Sequence, residues 1–320
     1  MRLLVTGGAG YVGSVVAHQL LSAGHQVVVL DDLSSGYPEA VPDGADLVVG
    51  GMAEAARLFA ERGPFDGVVH LAARSLIDDS VRHPERYWHG NTVQTLALLD
   101  AMREAGVPRI VVSSTAATYG QPSEIPISET SPTVPTNPYG DSKLAVDLML
   151  AGYARAHGIA AISLRYFNVA GAVGRHGERH DPETHVIPLA LRSSLGEGPD
   201  FFPVFGADYP TPDGTCVRDF VHVADIANAH LAALDRARSG EHRVYNLGNG
   251  KGFSVLEVLD AVAAVTGRPV PRRPADRRPG DPAVLVASGE RARRELGWRP
   301  ARPTLEEMIS DAYRFHRDAR

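Results

Sequence analysis

A tyrosine and a lysine lie one helical turn apart in the segment NPYGDSK, residues 137–143. In a helix that begins at Pro138, the side chains of Tyr139 and Lys143 share one face, because positions i and i+4 are neighbours. A phenol with an ordinary pKa near ~10 is a poor base at neutral pH, but a neighbouring ammonium favours its ionised form. The pair therefore indicates a general base, although the same spacing also arises by chance on surface helices.

Regularly spaced glycines follow the first apolar run. The segment TGGAGYVG places Gly7, Gly10 and Gly13 between RLLVT and a helix-like pattern. Glycines at such a junction let the backbone turn tightly and approach a pyrophosphate, which then lies at the helix N-terminus. A strand–helix turn without a ligand is the alternative, and three spaced glycines at the first junction favour the nucleotide site.

An acidic pair ends the second apolar run, QVVVLDD. A carboxylate at this position can accept hydrogen bonds from the ribose hydroxyls of adenosine, and it repels a 2′-phosphate. Asp31, with Asp32 beside it, therefore predicts NAD as the cofactor in preference to NADP. The alternative for Asp31 is an acidic residue in a turn.

These residues lie in a chain whose first half alternates short apolar runs with amphipathic stretches. Short runs rich in Val, Ile and Leu are typical of parallel strands that are covered on both faces. Their alternation with helices predicts an α/β fold with a Rossmann-type, doubly wound parallel sheet. The predicted strands are RLLVT, QVVVLD, DLVVG, DGVVHLAA, RIVVSS and AAISLRYFN, and the predicted helices span about 12–23, 53–62, 85–106 and 138–157.

The pattern changes after Asn168, where a polar, glycine-containing segment is followed by shorter elements. We expect residues 1–168 to form an NAD-binding Rossmann domain. Residues 169–320 are expected to form a smaller α/β substrate domain, from which some segments return to the first. Its predicted elements are a helix at about 186–195, a strand near Phe202, a helix from about Asp225 (its predicted N-cap), a strand RVYNLG, a helix opened by Ser254 and a helix from about Thr304.

Composition limits the function classes. The 320 residues are 44% hydrophobic and 22% charged, which is typical of a globular protein. A net charge of -6 without long runs of one sign argues against general nucleic-acid binding. No apolar run approaches the ~18 residues of a membrane-spanning helix, and the N-terminus predicts a strand rather than a signal peptide. Cys216 is the only cysteine, so we expect no disulfide and a cytoplasmic location.

The glycine motif together with Tyr-x-x-x-Lys resembles the short-chain dehydrogenase/reductase superfamily. The resemblance implies that Tyr139 is the acid/base and that Lys143 lowers its pKa and holds the nicotinamide ribose. It also implies a third hydroxyl at the end of the preceding strand. The segment SSTAATYG supplies Ser113, Ser114 and Thr115, of which Thr115 matches the motif position.

A more specific resemblance covers essentially the whole chain. The segments SSTAATYG, NPYGDSK, LRYFNVAGA, YPTPDGTCVRDFVHVAD, YNLGNG and RRPGDPAV come in the order and spacing of the UDP-glucose 4-epimerase family, also called UDP-galactose 4-epimerases. This resemblance implies that NAD⁺ accepts a hydride from carbon 4 of a UDP-hexose while Tyr139 takes the hydroxyl proton. The 4-keto sugar then turns relative to its UDP anchor, and the hydride returns to the other face.

The same resemblance implies the contacts of both ligands. Among the substrate contacts, the resemblance implies that Asn168, Arg218 and Arg278 bind the diphosphate. Asp281 is implied on the uridine ribose and Phe205 beside the uracil. The full implied set is Gly7, Gly10, Tyr11, Val12, Gly13, Asp31, Asp32, Leu71, Ala72, Ala73, Asn91, Ser113, Tyr139, Lys143 and Tyr166 for NAD, and Thr115, Asn168, His185, Val186, Phe205, Arg218, Arg278 and Asp281 for the UDP-sugar.

Three positions depart from the family pattern. Gly51 replaces the aspartate that follows the third strand and bonds the adenine amino group, a loss of about 1 kcal/mol of cofactor affinity. Gln94 replaces a glycine in the usual NNVxGT segment, and Ser75 lies where some members have a lysine. We therefore expect weaker NAD retention than is usual in the family.

Three histidines in one glycine-containing segment raise the question of a metal. His176, His180 and His185 have no cysteine partners, and their spacing fits no standard zinc pattern. We therefore expect no metal site here and a loop that covers the substrate instead.

Other functions remain open to different degrees. A dTDP-glucose-4,6-dehydratase-like reaction needs an Asp-Glu pair after the threonine, and this chain has Ala116-Ala117. Epimerisation of another UDP-sugar, an N-acetylhexosamine, pentose or uronate, stays possible, since Leu285 is of intermediate size where the family sets room for an N-acetyl group. A non-catalytic NAD-binding regulator is disfavoured because a sensor needs no base. The resemblance also implies a homodimer formed through helices near 90–106 and 140–156.

Overall fold

Thirteen strands are found in a computed structural model of the chain, which describes residues 1–278 and 280–318. Seven of them form one parallel sheet in the order β10-β6-β5-β4-β1-β2-β3. The strands are β1 (Arg2–Thr6), β2 (Gln26–Asp31), β3 (Asp46–Val49), β4 (Gly67–His70), β5 (Arg109–Thr115), β6 (Ala160–Tyr166), β7 (Asn168–Ala170), β8 (Phe202–Phe205), β9 (Val217–His222), β10 (His242–Leu247), β11 (Gly252–Ser254), β12 (Arg272–Ala275) and β13 (Val284–Leu285).

The apolar character of the central strands explains the sheet. The strands β4 and β6 are buried along their whole length, and β1 and β2 are buried except at their first residues. Side chains on alternate sides of these strands belong to two different hydrophobic clusters, so helices cover both faces. The predicted Rossmann-type α/β fold is confirmed, with all six predicted strands of the first half present.

The helices begin and end at sequence signals. Asn137 caps the long helix of the site, and Ser254 with Glu257 forms a reciprocal capping box. Glycines with positive φ end several others. The helices are α1 (Tyr11–Ser22), α2 (Glu54–Arg62), α3 (Ile77–Arg82), α4 (Pro84–Tyr87), α5 (Gln94–Ala105), α6 (Pro138–His157), α7 (Val186–Leu195), α8 (Val223–Arg236), α9 (Val255–Thr266), α10 (Glu290–Glu295) and α11 (Leu305–Asp318). Within the described ranges, none of them has the length and apolar character to cross a membrane.

One predicted helix, 85–106, is interrupted. The chain makes a wider, π-helical turn over Trp88–Val93 between α4 and α5. This turn directs the buried side chain of Asn91 to the backbone of Arg74, where its Oδ1 accepts from the N–H at 2.8 Å and its Nδ2 donates to the carbonyl at 3.0 Å. Asn91 Nδ2 also donates to Ser142 Oγ at 3.0 Å. The turn therefore ties the loop after β4 to α6, and single π-helical turns often occur at functional sites.

The second half of the chain forms a smaller layer and also completes the first. In the smaller layer β9 pairs with β7, β11 and β13, and β12 pairs with β8. The helix α8 packs on α1, and β10 is the edge strand of the large sheet beside β6. We therefore propose a division near Asn168, with α8 and β10 returning to the first domain. The second domain is proposed to extend to residue 320, and residues 319 and 320 lie outside the described residues.

Two buried aspartates join these layers through backbone N–H groups. The Asp219 carboxylate accepts from Asn249 at 2.6 Å and from Gly250 and Ala287 at 3.0 Å. Asp225 does not cap α8 as predicted, since the N-cap is His222, whose ring accepts from Ala224. The Asp225 carboxylate instead accepts from two backbone N–H groups of the segment 301–302.

Two buried histidines should make folding sensitive to acid. His70 lies between the hydroxyls of Thr6 and Thr95, 2.7 and 2.8 Å from its nitrogens, and His230 donates to the Ile226 carbonyl. Burial lowers the pKa of His70 to about 3 and that of His230 to about 4. Below the ordinary pKa of about 6.5, the unfolded chain binds protons that the folded chain does not, so stability falls as the pH decreases.

We predict that the free energy of unfolding falls by up to about 1.4 kcal/mol per pH unit for each of these histidines between about pH 6.5 and 4. Urea unfolding at pH 7, 6 and 5 measures this slope. His70→Gln should flatten it, whereas replacement of the exposed His83 by Gln should not. Equal slopes for the wild type and His70→Gln would contradict the prediction.

Candidate active site

The carboxyl ends of β1, β4, β5 and β6 meet at one edge of the large sheet, the usual ligand edge of such folds. The helix α6 begins beside this edge, because the Asn137 side chain accepts from the N–H of Gly140 at 2.9 Å and Pro138 fixes the first turn. Tyr139 therefore lies in the first turn and Lys143 in the second. Thr115, the last residue of β5, lies close enough to Tyr139 for its hydroxyl to lower the pKa of the phenol. The structure thus brings the three predicted catalytic residues together.

Burial dominates the electrostatics of this trio. It raises the pKa of Tyr139, while the hydrogen bond from Thr115 acts in the opposite direction. Lys143 is only 3% exposed, and burial lowers its pKa to about 8 although Asp147 acts to raise it. We expected the Lys143 ammonium to lower the Tyr139 pKa, but the resolved causes are burial and Thr115. The polypeptide by itself therefore favours the neutral phenol.

His70 is a part of this edge that the sequence analysis missed. It ends β4, and the charge of Lys143 contributes to its low pKa after burial. Burial and the charge of Lys143 keep the imidazole neutral at pH 7, and its two threonine partners hold it in hydrogen bonds. A histidine that ends an otherwise apolar parallel strand is the signal that identifies such a residue.

The glycine loop has the shape of a cradle for a phosphate group. A Cβ at Gly7, whose φ is +73°, would lie 2.5 Å from the backbone nitrogen of Ala72. A Cβ at Gly13 would lie 1.9 Å from the Gly7 carbonyl oxygen, so the start of α1 packs directly on the loop. Gly10 is the N-cap of α1, and no side chain caps the helix. The first N–H groups of α1, at Tyr11 and Val12, are thus available to an anion.

Asp31 joins the second strand to this loop. Its carboxylate accepts from the N–H groups of Ala9 and Leu33, each at 2.9 Å, and burial raises its pKa against these bonds. Asp32 is exposed and instead closes a turn by accepting from Ser34. A dinucleotide fits these residues, with its pyrophosphate at the α1 N-terminus and its adenosine ribose beside Asp31.

Four predicted substrate residues converge from separate segments. The guanidinium of Arg218 on β9 forms an ion pair with Asp281. The guanidinium of Arg278 lies over the ring of Phe205, 4.2 Å from its centroid. The backbone carbonyl of Arg278 accepts a hydrogen bond from the Asp281 N–H at 3.2 Å. Two arginines, one carboxylate and an aromatic ring suit a nucleoside diphosphate. Asn168 is the first residue of β7, at the junction of the two layers. Because β7 pairs with β9, the strand that carries Arg218, Asn168 lies beside this group.

Arg277 and Tyr209 extend this group, and the sequence analysis did not select them. Arg277 lies 4.2 Å from the Tyr209 ring centroid and bonds Asp208 at 2.7 Å. The Tyr209 hydroxyl is buried and has no hydrogen-bond partner in the described part of the chain. The doubled arginine in RRPGD is the sequence signal for Arg277, and the Tyr209 hydroxyl is a further donor for a polar ligand.

Known proteins resemble this chain over its full length. Residues 3–248 match the model of the NAD dependent epimerase/dehydratase family. The UDP-glucose 4-epimerases of Streptomyces lividans and Corynebacterium glutamicum are 55% and 52% identical, with 98% of this chain covered in both cases and 96% and 95% of the relatives. A solved UDP-glucose 4-epimerase of Stenotrophomonas maltophila, with bound NAD and formylated UDP-arabinopyranose, is 38% identical with a TM-score of 0.95, and the match covers 100% of this chain and 98% of that one.

The chain belongs to the NAD dependent epimerase/dehydratase family. In the structure, the loop after β4 lies against the glycine cradle. The N–H of Leu71 donates to the Thr6 carbonyl at 3.0 Å, and Ala72 touches Gly7, with Ala73 following in the same loop. Asn91 supports this loop through Arg74, so its side chain positions the predicted cofactor segment and is itself already hydrogen-bonded.

Tyr166 lies in the core beneath the predicted cofactor site. Its hydroxyl is 2.7 Å from His230 Nε2, and Ser113, another predicted contact, is close enough to act on its pKa. Both side chains are thereby directed to protein groups, and burial raises the Tyr166 pKa. Phe167, the next residue, lies just after β6 and packs against the cluster that contains Ala116, the residue after Thr115. Phe167 is therefore the better candidate for a ligand contact.

His185 does not join the arginine group. It is the N-cap of α7, which begins at Val186, and its Nδ1 lies 2.7 Å from Glu178 Oε1 and 2.9 Å from Glu183 Oε1. Burial acts to lower the His185 pKa, but these two glutamates raise it to about 10. The resemblance implied that His185 contacts the UDP-sugar, but in the structure its partners are these acidic neighbours.

Gly51 provides a test of cofactor retention. It follows β3 beside Asp31, since the Gly50 N–H donates to the Asp31 carbonyl at 2.9 Å, and a Cβ at Gly51 would have no atom within 4 Å. We predict that Gly51→Asp tightens NAD binding about fivefold by restoring one hydrogen bond. Fluorescence titration measures the Kd, and Gly51→Ala, which adds the Cβ without the carboxylate, should match the wild type. Stoichiometric NAD in the wild-type protein purified without added cofactor would count against weak retention.

Proposed function

We propose that this chain catalyses the NAD-dependent epimerisation of a UDP-hexose at carbon 4, interconverting UDP-glucose and UDP-galactose. The observation that carries the proposal is the position of Thr115 next to Tyr139 at the sheet edge, where it lowers the pKa of the phenol, with Lys143 one turn further along α6. The similarity to UDP-glucose 4-epimerases over nearly the whole chain supports the same reaction.

Each residue of the trio has a distinct role in this reaction. Tyr139 takes the proton from the 4-hydroxyl of the sugar and later returns one to the 4-keto group. Thr115 holds that hydroxyl against the phenol. Lys143 holds the ribose next to the nicotinamide. Bound NAD⁺ supplies the hydride acceptor and a positive charge that favours the phenolate. Because the hydride returns to the same carbon, the reaction has no net redox change.

The substrate residues divide into a firm anchor and a small pocket. Arg218, Arg278, Asp281 and Phe205 grip the uridine diphosphate, with Asn168 at the junction of the two layers. Ala116 and Ala117, next to Thr115, leave room for the 4-keto sugar to turn. They provide no acid to expel a 6-hydroxyl, so epimerisation is favoured over a dehydratase reaction.

Fewer contacts determine which sugar of the UDP-sugar is accepted. Leu285 pairs with Arg218 in the sheet and packs with Ala116 and Phe167, so it borders the proposed sugar pocket. A related structure holds formylated UDP-arabinopyranose, a pentose derivative. Epimerisation of a UDP-pentose, UDP-N-acetylhexosamine or UDP-uronate is therefore the second candidate. A non-catalytic NAD-binding regulator is the remaining alternative.

The test is turnover of UDP-galactose with NAD, followed by chromatographic separation of the UDP-sugars. We predict formation of UDP-glucose and a fall in kcat of about 100- to 10,000-fold in Tyr139→Phe, since only the acid/base group is removed. Tyr153→Phe is the matched control, because Tyr153 lies on the same helix and bonds Asp100 at 2.6 Å. Preferred turnover of UDP-N-acetylgalactosamine would favour the second candidate. NAD binding without turnover of any UDP-sugar would indicate the regulator.

We further propose a homodimer formed through α5 and α6, and a cytoplasmic location, which suits a chain with a single thiol. Apolar side chains are exposed on these and neighbouring elements, and their clustering supports an interface. Leu148 on α6 is 67% exposed, and the others are Ile77, Val81, Trp88, Val93 and Leu96.

We predict that Leu148→Glu shifts the protein from dimer to monomer in sedimentation velocity experiments, because a carboxylate is costly in an apolar interface. Val49→Glu, at an exposed apolar residue on the edge strand β3, is the control. A wild-type monomer, or a dimer indifferent to Leu148→Glu, would refute this interface.

A further inference from the structure

Four potential metal ligands meet in the segment GERHDPETH, residues 177–185. Glu178, His180, Glu183 and His185 each direct one ligand atom into a space where all four atoms lie within 4.8 Å of one another. Glu178 Oε1 is 2.9 Å from His180 Nδ1 and 2.7 Å from His185 Nδ1. The ring centroids of the two histidines are 5.0 Å apart. The sequence analysis judged only the histidines and therefore missed the two glutamates between and before them.

The glutamates indicate that something positive belongs in this space. The Glu183 side chain is 1% exposed, and its Oε2 is buried without a hydrogen-bond partner in residues 1–278 and 280–318. Its Oε1 already accepts from the N–H groups of Thr184 and His185, both at 2.8 Å, which fixes the carboxylate in place. The Glu178 side chain is 10% exposed. A protonated His185 can compensate only one of these two carboxylates, so the second stays costly unless a further cation is bound.

We propose that Glu178, His180, Glu183 and His185 bind one divalent transition-metal ion, with Zn²⁺ as the best fit. Zinc takes His nitrogen and Glu oxygen at about 2.0–2.2 Å, almost always with four ligands in structural sites. A tetrahedron with such bonds separates its ligand atoms by about 3.3 Å, so small side-chain shifts suffice. Two imidazoles disfavour Ca²⁺ and Mg²⁺, which prefer oxygen ligands.

The position of this centre gives it a structural role. The segment runs from the glycine-loop side of the molecule to α7, which His185 caps. The hydroxyl of Tyr37 donates to the Arg179 carbonyl at 3.1 Å, and the Arg179 guanidinium lies 5.2 Å from the ring centroid of Phe315 on α11. An ion held by this short segment fixes the connection between the first domain and the helices of the second. Burial and the charges of Glu178 and Glu183 raise the pKa of Tyr11 at the start of α1, and no step of the proposed proton or hydride transfer uses the ion.

An ion can reach the four ligands from solvent. Glu178 and His180 border a surface cavity of about 310 Å³ that Tyr37, Arg192 and Phe315 also line. His180, which also lines this cavity, keeps 28% of its side chain exposed, and His185 keeps 45% of its side chain exposed. The site therefore satisfies the requirements of ligand identity, ligand number and an entry path.

Metal analysis of the untagged protein tests the proposal independently of any epimerase activity. After purification without a metal-affinity resin, the protein is dialysed against a chelator and titrated with Zn²⁺ in competition with a chromophoric chelator. We expect one Zn²⁺ per chain and a Tm that rises with Zn²⁺ concentration. Co²⁺ in place of Zn²⁺ should give the visible absorption of a four-coordinate site.

Variants assign the binding to these residues. Glu183→Gln and His180→Asn should each weaken Zn²⁺ binding at least tenfold, since even neighbours of metal ligands contribute about 10- to 100-fold. His83→Asn is the matched control, because His83 forms an exposed His–Glu pair with Glu85 at 3.8 Å. If Glu183→Gln fails to fold, the proposal is tested by His180→Asn, at a partly exposed residue, and by the Co²⁺ spectrum of the wild type. Fewer than about 0.1 Zn²⁺ bound per chain would overturn the proposal. Zn²⁺ binding that is unchanged in both variants would also overturn it.

Discussion

Burial of the Lys143 ammonium beside Tyr139 is the constraint around which the site is arranged. Burial lowers the pKa of this lysine to about 8, and Asp147, one turn further along α6, acts to raise it. Asp147 also forms a buried ion pair with Arg165 at 2.8 Å, so its charge is shared. Lys143 therefore retains donors for a polar ligand at the sheet edge. The glycine loop and Asp31 end at the same edge and place a dinucleotide there.

The supporting residues matter because a reaction of this kind depends on small distances. Asn137 fixes the start of α6, the π-helical turn carries Asn91 to the loop after β4, and His70 fills the space beneath. His70 and Asn91 are buried and are linked through the Thr95 hydroxyl, whereas Asn137 is half-buried and bonds Gly140. Their role is to hold Tyr139 and Thr115 in one geometry while the substrate changes.

The substrate layer is organised differently from the catalytic edge. Arg278 and Arg277 lie over aromatic rings, which holds their guanidinium groups in place before a ligand binds. The two residues that follow Thr115 are alanines. A rigid grip on the nucleotide combined with an uncrowded sugar pocket is what a rotating 4-keto sugar requires. The glutamate–histidine cluster of residues 178–185 contributes to the frame around this layer and not to the grip.

Much of the architecture could be predicted from local patterns. Apolar runs gave the six strands of the first half, and the spacing of Tyr139 and Lys143 gave their common helix face. Glycine spacing predicted the cradle, whose requirement for small residues the packing of Gly7 and Gly13 explains. These features depend on residues a few positions apart, and such short-range signals are present in the sequence itself.

Other features were decided only by the tertiary structure. Phe205, Arg218 and Asp281 meet although they lie far apart in the chain, and the glutamates redirect His185 away from them. The pKa of Tyr139 is governed by burial more than by its neighbour one turn away. The sequence by itself determined the elements and the residues that carry the chemistry. Packing decided which side chains meet and how far each is removed from water, because both depend on contacts between distant segments.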